Sequence, residues 1–143
     1  GSDNGTKNLV VTLDSTNTTA TLTGLRAYPN ATFTYTDPIR VRNNATSGTN
    51  TTLRLAPKVD PSTNAEDFFY VKFLLNATNP ADYRWLNYTS DGISTWTSPT
   101  APTEWTTIGI APGEEWSIVI YTMARPGANS GDDVTIAITV DVD

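Results

Sequence analysis

The densest chemical signal in this chain is a triplet. Asn-x-Thr begins at Asn4, Asn17, Asn30, Asn44, Asn50, Asn76 and Asn87. An asparagine amide at that distance from a hydroxyl is the acceptor pattern for an N-linked glycan. With 12 Asn, 26 Thr and 9 Ser in 143 residues, chance placement yields about three such triplets, and seven are present. The seven asparagines are therefore read as candidate glycan acceptors, ahead of the alternative that Thr-rich strands beside Asn-rich turns produce the triplets by composition, and a chain outside the cell is expected.

Other groups with chemical potential are weaker. Carboxylates occur in close pairs at Glu66/Asp67, Glu114/Glu115, Asp132/Asp133 and Asp141/Asp143. A glycosidase needs two carboxyl groups flanking one bond, and a chain with 15 acids offers pairs by chance. These pairs are read as solvated strand ends. Ser130-Gly131-Asp132-Asp133 has oxygen ligands but not the spacing of a known calcium loop, so no metal and no cofactor are expected. Lys72 stands inside the apolar run Phe68 to Leu75, on one predicted face with Phe68, Tyr70 and Leu74. A lysine beside a buried acid forms an isopeptide bond in some surface proteins; the ordinary expectation is a snorkelling lysine. Trp85, Tyr88, Trp96 and Trp105 fall close together, as a sugar-stacking platform or as core and cap; core and cap is the preferred reading.

Much chemistry is missing. With no His and no Cys, the chain lacks the usual general base, the usual nucleophilic thiol and any disulfide. No phosphate loop, nucleophile elbow or dinucleotide fingerprint occurs. No enzyme activity is expected. Nine cations are scattered against 15 acids, for a net charge of −6 and a pI near 4.4. A nucleic-acid partner is not expected, since phosphate binding needs clustered Lys and Arg. No apolar run reaches the length of a membrane span.

These residues must be held by strands. Thr is β-branched and suits a pleated surface, and Gln is absent. Alternating apolar and polar positions predict strands over 7–13, 18–25, 32–43, 51–59, 67–76, 105–110, 115–123 and 133–142. Asp37-Pro38 interrupts the third of these, because proline lacks the amide donor; an edge, bulge or corner is expected there. Residues 79–103 read as irregular. The expected fold is all-β, a two-sheet sandwich of jelly-roll or immunoglobulin-like type.

Four stretches carry a resemblance: Asn8-Leu9-Val10-Val11-Thr12-Leu13, Pro38-Ile39-Arg40-Val41-Arg42-Asn43-Asn44, Ala111 to Tyr121, and Val134 to Val142. In layout the chain resembles the TasA/camelysin-like filament proteins, and among them the archaeal bundling pilins. That resemblance implies a secreted jelly-roll-like subunit in which the N-terminal strand of one copy fills a groove in the next. It transfers no catalytic residue. The high Asn and Thr content departs from the bacterial members and suits a glycosylated archaeal surface.

The resulting expectation is an N-terminal extension with a donor strand over 1–16 and a sandwich domain over 17–143. Leu9, Val10, Val11, Thr12 and Leu13 form the donor strand, with Leu9, Val11 and Leu13 inserted and Val10 and Thr12 facing away. Burying each inserted side chain is worth about 1.5–3 kcal/mol. The partners expected are identical subunits in a homopolymer, with glycans, at the cell surface, in adhesion or biofilm. The alternatives are a carbohydrate-binding module and one domain of a surface-layer or adhesin protein.

Overall fold

The structure is a computed structural model, and it describes residues 2–3, 10–13, 19–44, 53–60, 63–82, 84–97 and 109–142. It contains eleven strands among these residues: β1 (Ser2–Asp3), β2 (Val10–Leu13), β3 (Thr19–Arg26), β4 (Thr32–Arg42), β5 (Leu53–Val59), β6 (Phe68–Leu75), β7 (Arg84–Ser90), β8 (Trp96–Thr97), β9 (Gly109–Ile110), β10 (Glu115–Ala124) and β11 (Asp133–Val142). Single 3-10 turns at Ala65–Asp67 and Pro80–Asp82 are the helical elements among them. No helix of the described residues is long and apolar enough to cross a membrane.

The strands form two sheets, ordered β1-β4-β10-β6-β7-β8 and β2-β3-β11-β5-β9. All pairings are antiparallel except the short β1–β4 pair. Without β1, β2 and β8, a four-stranded sheet β4-β10-β6-β7 packs on a four-stranded sheet β3-β11-β5-β9. The chain crosses from one sheet to the other at nearly every connection, and β6–β7 is the one hairpin within these eight strands. Eight strands wound in this order make a jelly roll. An immunoglobulin-like sandwich, with its more frequent hairpins within a sheet, does not describe it.

The core lies between the inward faces. Phe73, Leu75, Ile118 and Ile120 from the first sheet meet Leu22, Leu25, Ile136 and Ile138 from the second, all essentially without solvent contact. Period-two alternation produces these faces. Along β11, Val134, Ile136 and Ile138 point inward as expected. Along β10, Ile118, Ile120, Thr122 and Ala124 are buried, whereas Val119, Tyr121 and Met123 are only half-buried.

A bulge on β3 resets the alternation where it would otherwise fail, and a second interrupts β4 without changing its phase. On β3 the buried positions run Ala20, Leu22, then Leu25 and, just past the strand end, Ala27. The skip falls at Gly24, whose φ of 87° is comfortable only for glycine. There Ile136 faces Leu22 and Val134 faces Leu25. On β4, Ile39 pairs with Ile118 and Tyr35 with Ile120, so Asp37-Pro38 lies inside a bulge. Of the three expectations for that proline the structure realises the bulge, on a strand whose outer neighbour is only β1.

A third irregularity, between Met123 and Ala124, corrects one expectation. Phe68 does not share the face of Tyr70, Lys72 and Leu74; it pairs with Ala124 and is fully buried. Residues 84–90 correct another. The stretch expected to be irregular contains β7, whose Leu86 and Tyr88 alternate inward with Trp85, Asn87 and Thr89 outward. The Gly/Ser/Thr-rich flank at 90–98 obscured that period.

Turn chemistry follows the sequence. Ala111-Pro112-Gly113-Glu114 closes with Glu114 N–H donating to the Ala111 carbonyl at 3.0 Å, proline in the second place and Gly113 at φ 82° in the third. Between β7 and β8, the Asp91 Oδ1 accepts from the backbone N–H groups of Ile93, Ser94 and Thr95 at 2.8–3.0 Å. These bonds hold the Asp91 carboxyl below its ordinary range.

The central position of the interface sets its sensitivity. Ile120→Ala removes a side chain with no solvent contact and is expected to cost about 2–5 kcal/mol in urea denaturation. Ile93→Ala, at a residue 75% exposed, is expected to stay within about 0.5 kcal/mol.

Candidate functional site

The region of interest is the side of the sandwich where β3 and β4 are the outermost long strands. A free strand edge presents unpaired N–H and C=O groups and is a template for another strand. Here the N-terminal segment lies along both edges. Ser2 and Asp3 pair in parallel with Thr32 and Phe33 of β4. Val10, Val11, Thr12 and Leu13 pair antiparallel with Thr23, Leu22, Thr21 and Ala20 of β3. The register sets Val11 opposite Leu22 and Leu13 opposite Ala20, the two inward residues of that part of β3.

Four of the five residues expected to form the donor strand thus form β2 and pair with their own chain; Leu9 lies outside the described residues. β2 has β3 as its strand partner and sits at the end of its sheet. Ladder bonds of about 0.5–1.5 kcal/mol each work against about 1–2 kcal/mol of backbone entropy per ordered residue. A four-residue edge strand is therefore held by a small balance.

The glycan-acceptor candidates divide. Asn30, Asn44 and Asn87 are exposed. Asn30 sits at φ 61° in the turn before β4, a conformation that asparagine tolerates, and Asn44 follows the end of the same strand. Asn87 lies on the outer face of β7, opposite Lys72. Asn76 is 5% exposed, which leaves its side chain no room for a sugar in the folded domain. Asn4, Asn17 and Asn50 lie outside the described residues.

The aromatic group is split by the pleat of β7. Tyr88 is buried, packs edge-on to Phe73 and donates its hydroxyl to the Pro57 carbonyl at 3.0 Å. Burial pushes its pKa well above the ordinary tyrosine value. Trp96 is buried against Phe68, with Nε1 donating to the Thr63 carbonyl at 2.8 Å. Both are core and cap. Trp85 is 50% exposed on the opposite face, tilted against Tyr121 with ring centroids 5.7 Å apart. Trp105 lies outside the described residues. Lys72 is on this outer face, its Nζ 4.2 Å from the centroid of the Tyr70 ring, and its cross-strand partners are Tyr121 and Asn87.

The carboxylates regroup across the sequence. Glu66 and Asp67, in the turn before β6, meet Asp132, in the loop before β11; one oxygen from each lies within 4.8 Å of the others. Asp67 is 1% exposed, and its Oδ1 accepts from Asn129 N–H at 2.9 Å. Burial raises its pKa, and the neighbouring Asp132 and Glu66 carboxyls add to the rise. Asp67 is thus not the solvated strand end expected from its sequence neighbours, because nothing local signals that residues 66 and 132 converge.

Comparison with protein families, with characterised proteins and with solved structures returns no match.

Tyr88 supplies a pH test. Because folding keeps its hydroxyl protonated, its contribution is fully present below the ordinary tyrosine pKa of about 10 and declines as pH rises beyond it. Ultraviolet absorbance titration is expected to show a tyrosine that ionises together with alkaline unfolding and is missing from Tyr88→Phe. That variant is expected to lose about 0.5–1.5 kcal/mol at neutral pH.

Proposed function

We propose that this chain is a structural subunit of an extracellular filament. Copies join head-to-tail when the N-terminal segment leaves its own edge and pairs with the β3 edge of the next copy. The observation that carries this reading is the placement of β1 and β2. Residues at the N-terminal end lie on the outer edges of both sheets, and β2 depends on one neighbouring strand. Contacts made within one chain are available between two chains at the same register, since the pairing partners are identical. The exchange is heterologous: the segment of one copy meets the groove of another, so it propagates into a fibre unless it closes a ring.

Once β2 is removed, the eight residues of β3 become an open edge beside a core. Such an edge drives strand addition. The role draws on no catalytic group, in keeping with a chain that has neither His nor Cys. Exposed Asn30, Asn44 and Asn87 suit a glycosylated surface filament, in adhesion or biofilm.

A second reading is favoured by the exposed Trp85 against Tyr121, a pair of rings suited to stacking on a sugar. On that reading the chain is a carbohydrate-binding module. Glycan titration followed by tryptophan fluorescence supports it if the shift saturates and is lost in Trp85→Ala.

Deleting residues 1–14 is expected to abolish filaments in negative-stain electron microscopy and to leave folded or aggregating monomer. Full-chain filaments are expected to survive boiling in detergent. Normal filaments from the deleted chain would overturn the donor-strand reading.

A further inference from the structure

At one end of the sandwich the turn between β5 and β6 meets the loop between β10 and β11. Asn64 starts that turn in the left-handed region, at φ 39°, and donates Nδ2–H to the Asp133 carbonyl at 2.6 Å. Arg125 N–H donates to the Asp67 carbonyl at 2.9 Å, and Asn129 N–H to the Asp67 side chain. Ala27, from the β3–β4 connection, donates to the Asp132 carbonyl at 2.6 Å. Backbone and side-chain bonds therefore hold Glu66, Asp67 and Asp132 together.

Two facts about this group go beyond a cluster of acids. The second carboxylate oxygen of Asp67, Oδ2, is buried and has no hydrogen-bond partner. A buried carboxylate oxygen without a partner carries a desolvation cost, and a cation bound against it would relieve that cost. Secondly, among the described residues no cationic side chain pairs with any of the three acids. The nearby Arg125 guanidinium is engaged elsewhere, donating to the Phe68 and Ser90 carbonyls at 2.8 and 2.9 Å and resting over the Phe69 ring.

We propose that Glu66, Asp67 and Asp132 bind one divalent cation of the calcium class, which clamps the β5–β6 turn to the β10–β11 loop. The donor set is all oxygen, which suits a hard cation and not zinc. The three oxygens lie within 4.8 Å of one another, close enough to share one cation at the Ca–O distance of about 2.3–2.6 Å. Glu66 is exposed and Asp132 half-buried, so water reaches the site and completes the coordination shell. The clamp is independent of the filament reading, since β1 and β2 pair with β4 and β3 and not with the elements that carry the three acids.

The test uses the full chain, stripped with chelator and titrated with CaCl2 at neutral pH and constant ionic strength. Isothermal calorimetry is expected to give saturable binding in the range of extracellular modules, about 10⁻⁴–10⁻³ M. The melting temperature is expected to rise along the same curve. Asp132→Asn and Glu66→Gln are each expected to weaken binding at least about tenfold, in line with the loss of one charged ligand; the exposed Glu66 keeps the second variant foldable. Glu115→Gln, at an exposed acid elsewhere, is expected to leave the titration unchanged. No saturable heat and no melting shift at millimolar Ca2+, or an equal response in Asp132→Asn and Glu66→Gln, would overturn the site.

Discussion

The dry interface between the two sheets is the constraint on which the rest of this molecule depends. Ile118, Ile120 and Phe73 on one side and Leu22, Ile136 and Ile138 on the other must all point inward. A one-residue slip in any strand would turn its apolar set out to water. Without disulfides, and with no long helix among the described residues, apolar burial is the main source of stability, and at about 25 cal/mol per Å² it rewards only strands kept in register. The bulge at Gly24 follows from this demand. It adds one residue on β3 so that alternation resumes in phase, whereas the bulge at Asp37-Pro38 adds two and leaves the phase of β4 unchanged.

A sandwich solved in this way has free edges, and the edges connect the fold to the proposed role. Barrels close theirs; a jelly roll leaves some to be covered. On the β3–β4 side the cover is the chain's own N-terminal segment, in short strands with small net hold. The same hydrogen bonds serve whether the segment belongs to the same copy or to a neighbour. Self-pairing and polymerisation are two solutions of one edge problem, separated by concentration and by the small difference between intramolecular and intermolecular closure.

Away from the core, polar chemistry gathers where connections meet. The end bearing Ala27, Asn64, Asp67 and Asn129 is braced by bonds from three separate connections. Asp67 is the buried acid of that brace, and its Oδ2 lacks a hydrogen-bond partner. The outer face of the first sheet is different: Trp85, Tyr121, Tyr70 and Lys72 form a semi-apolar surface with Asn87 among them.

What the sequence by itself determined is local. Thr content, the two-residue period of β10 and β11, the Ala111-Pro112-Gly113 turn and the break at Asp37-Pro38 each depend on neighbours a few residues away. These were legible, and with them the all-β sandwich. Tertiary structure decided what depends on partners far along the chain. Strand order separated a jelly roll from an immunoglobulin-like sandwich, because pairing partners are not encoded in alternation. The bulge opposite Met123 and Ala124 put Phe68 in the core and left Lys72 outside. The pleat of β7 turned Tyr88 inward and Trp85 outward, although both belong to one aromatic stretch. Glu66 and Asp132 meet only because two connections close over the same end of the sandwich, and no local pattern carries that distance.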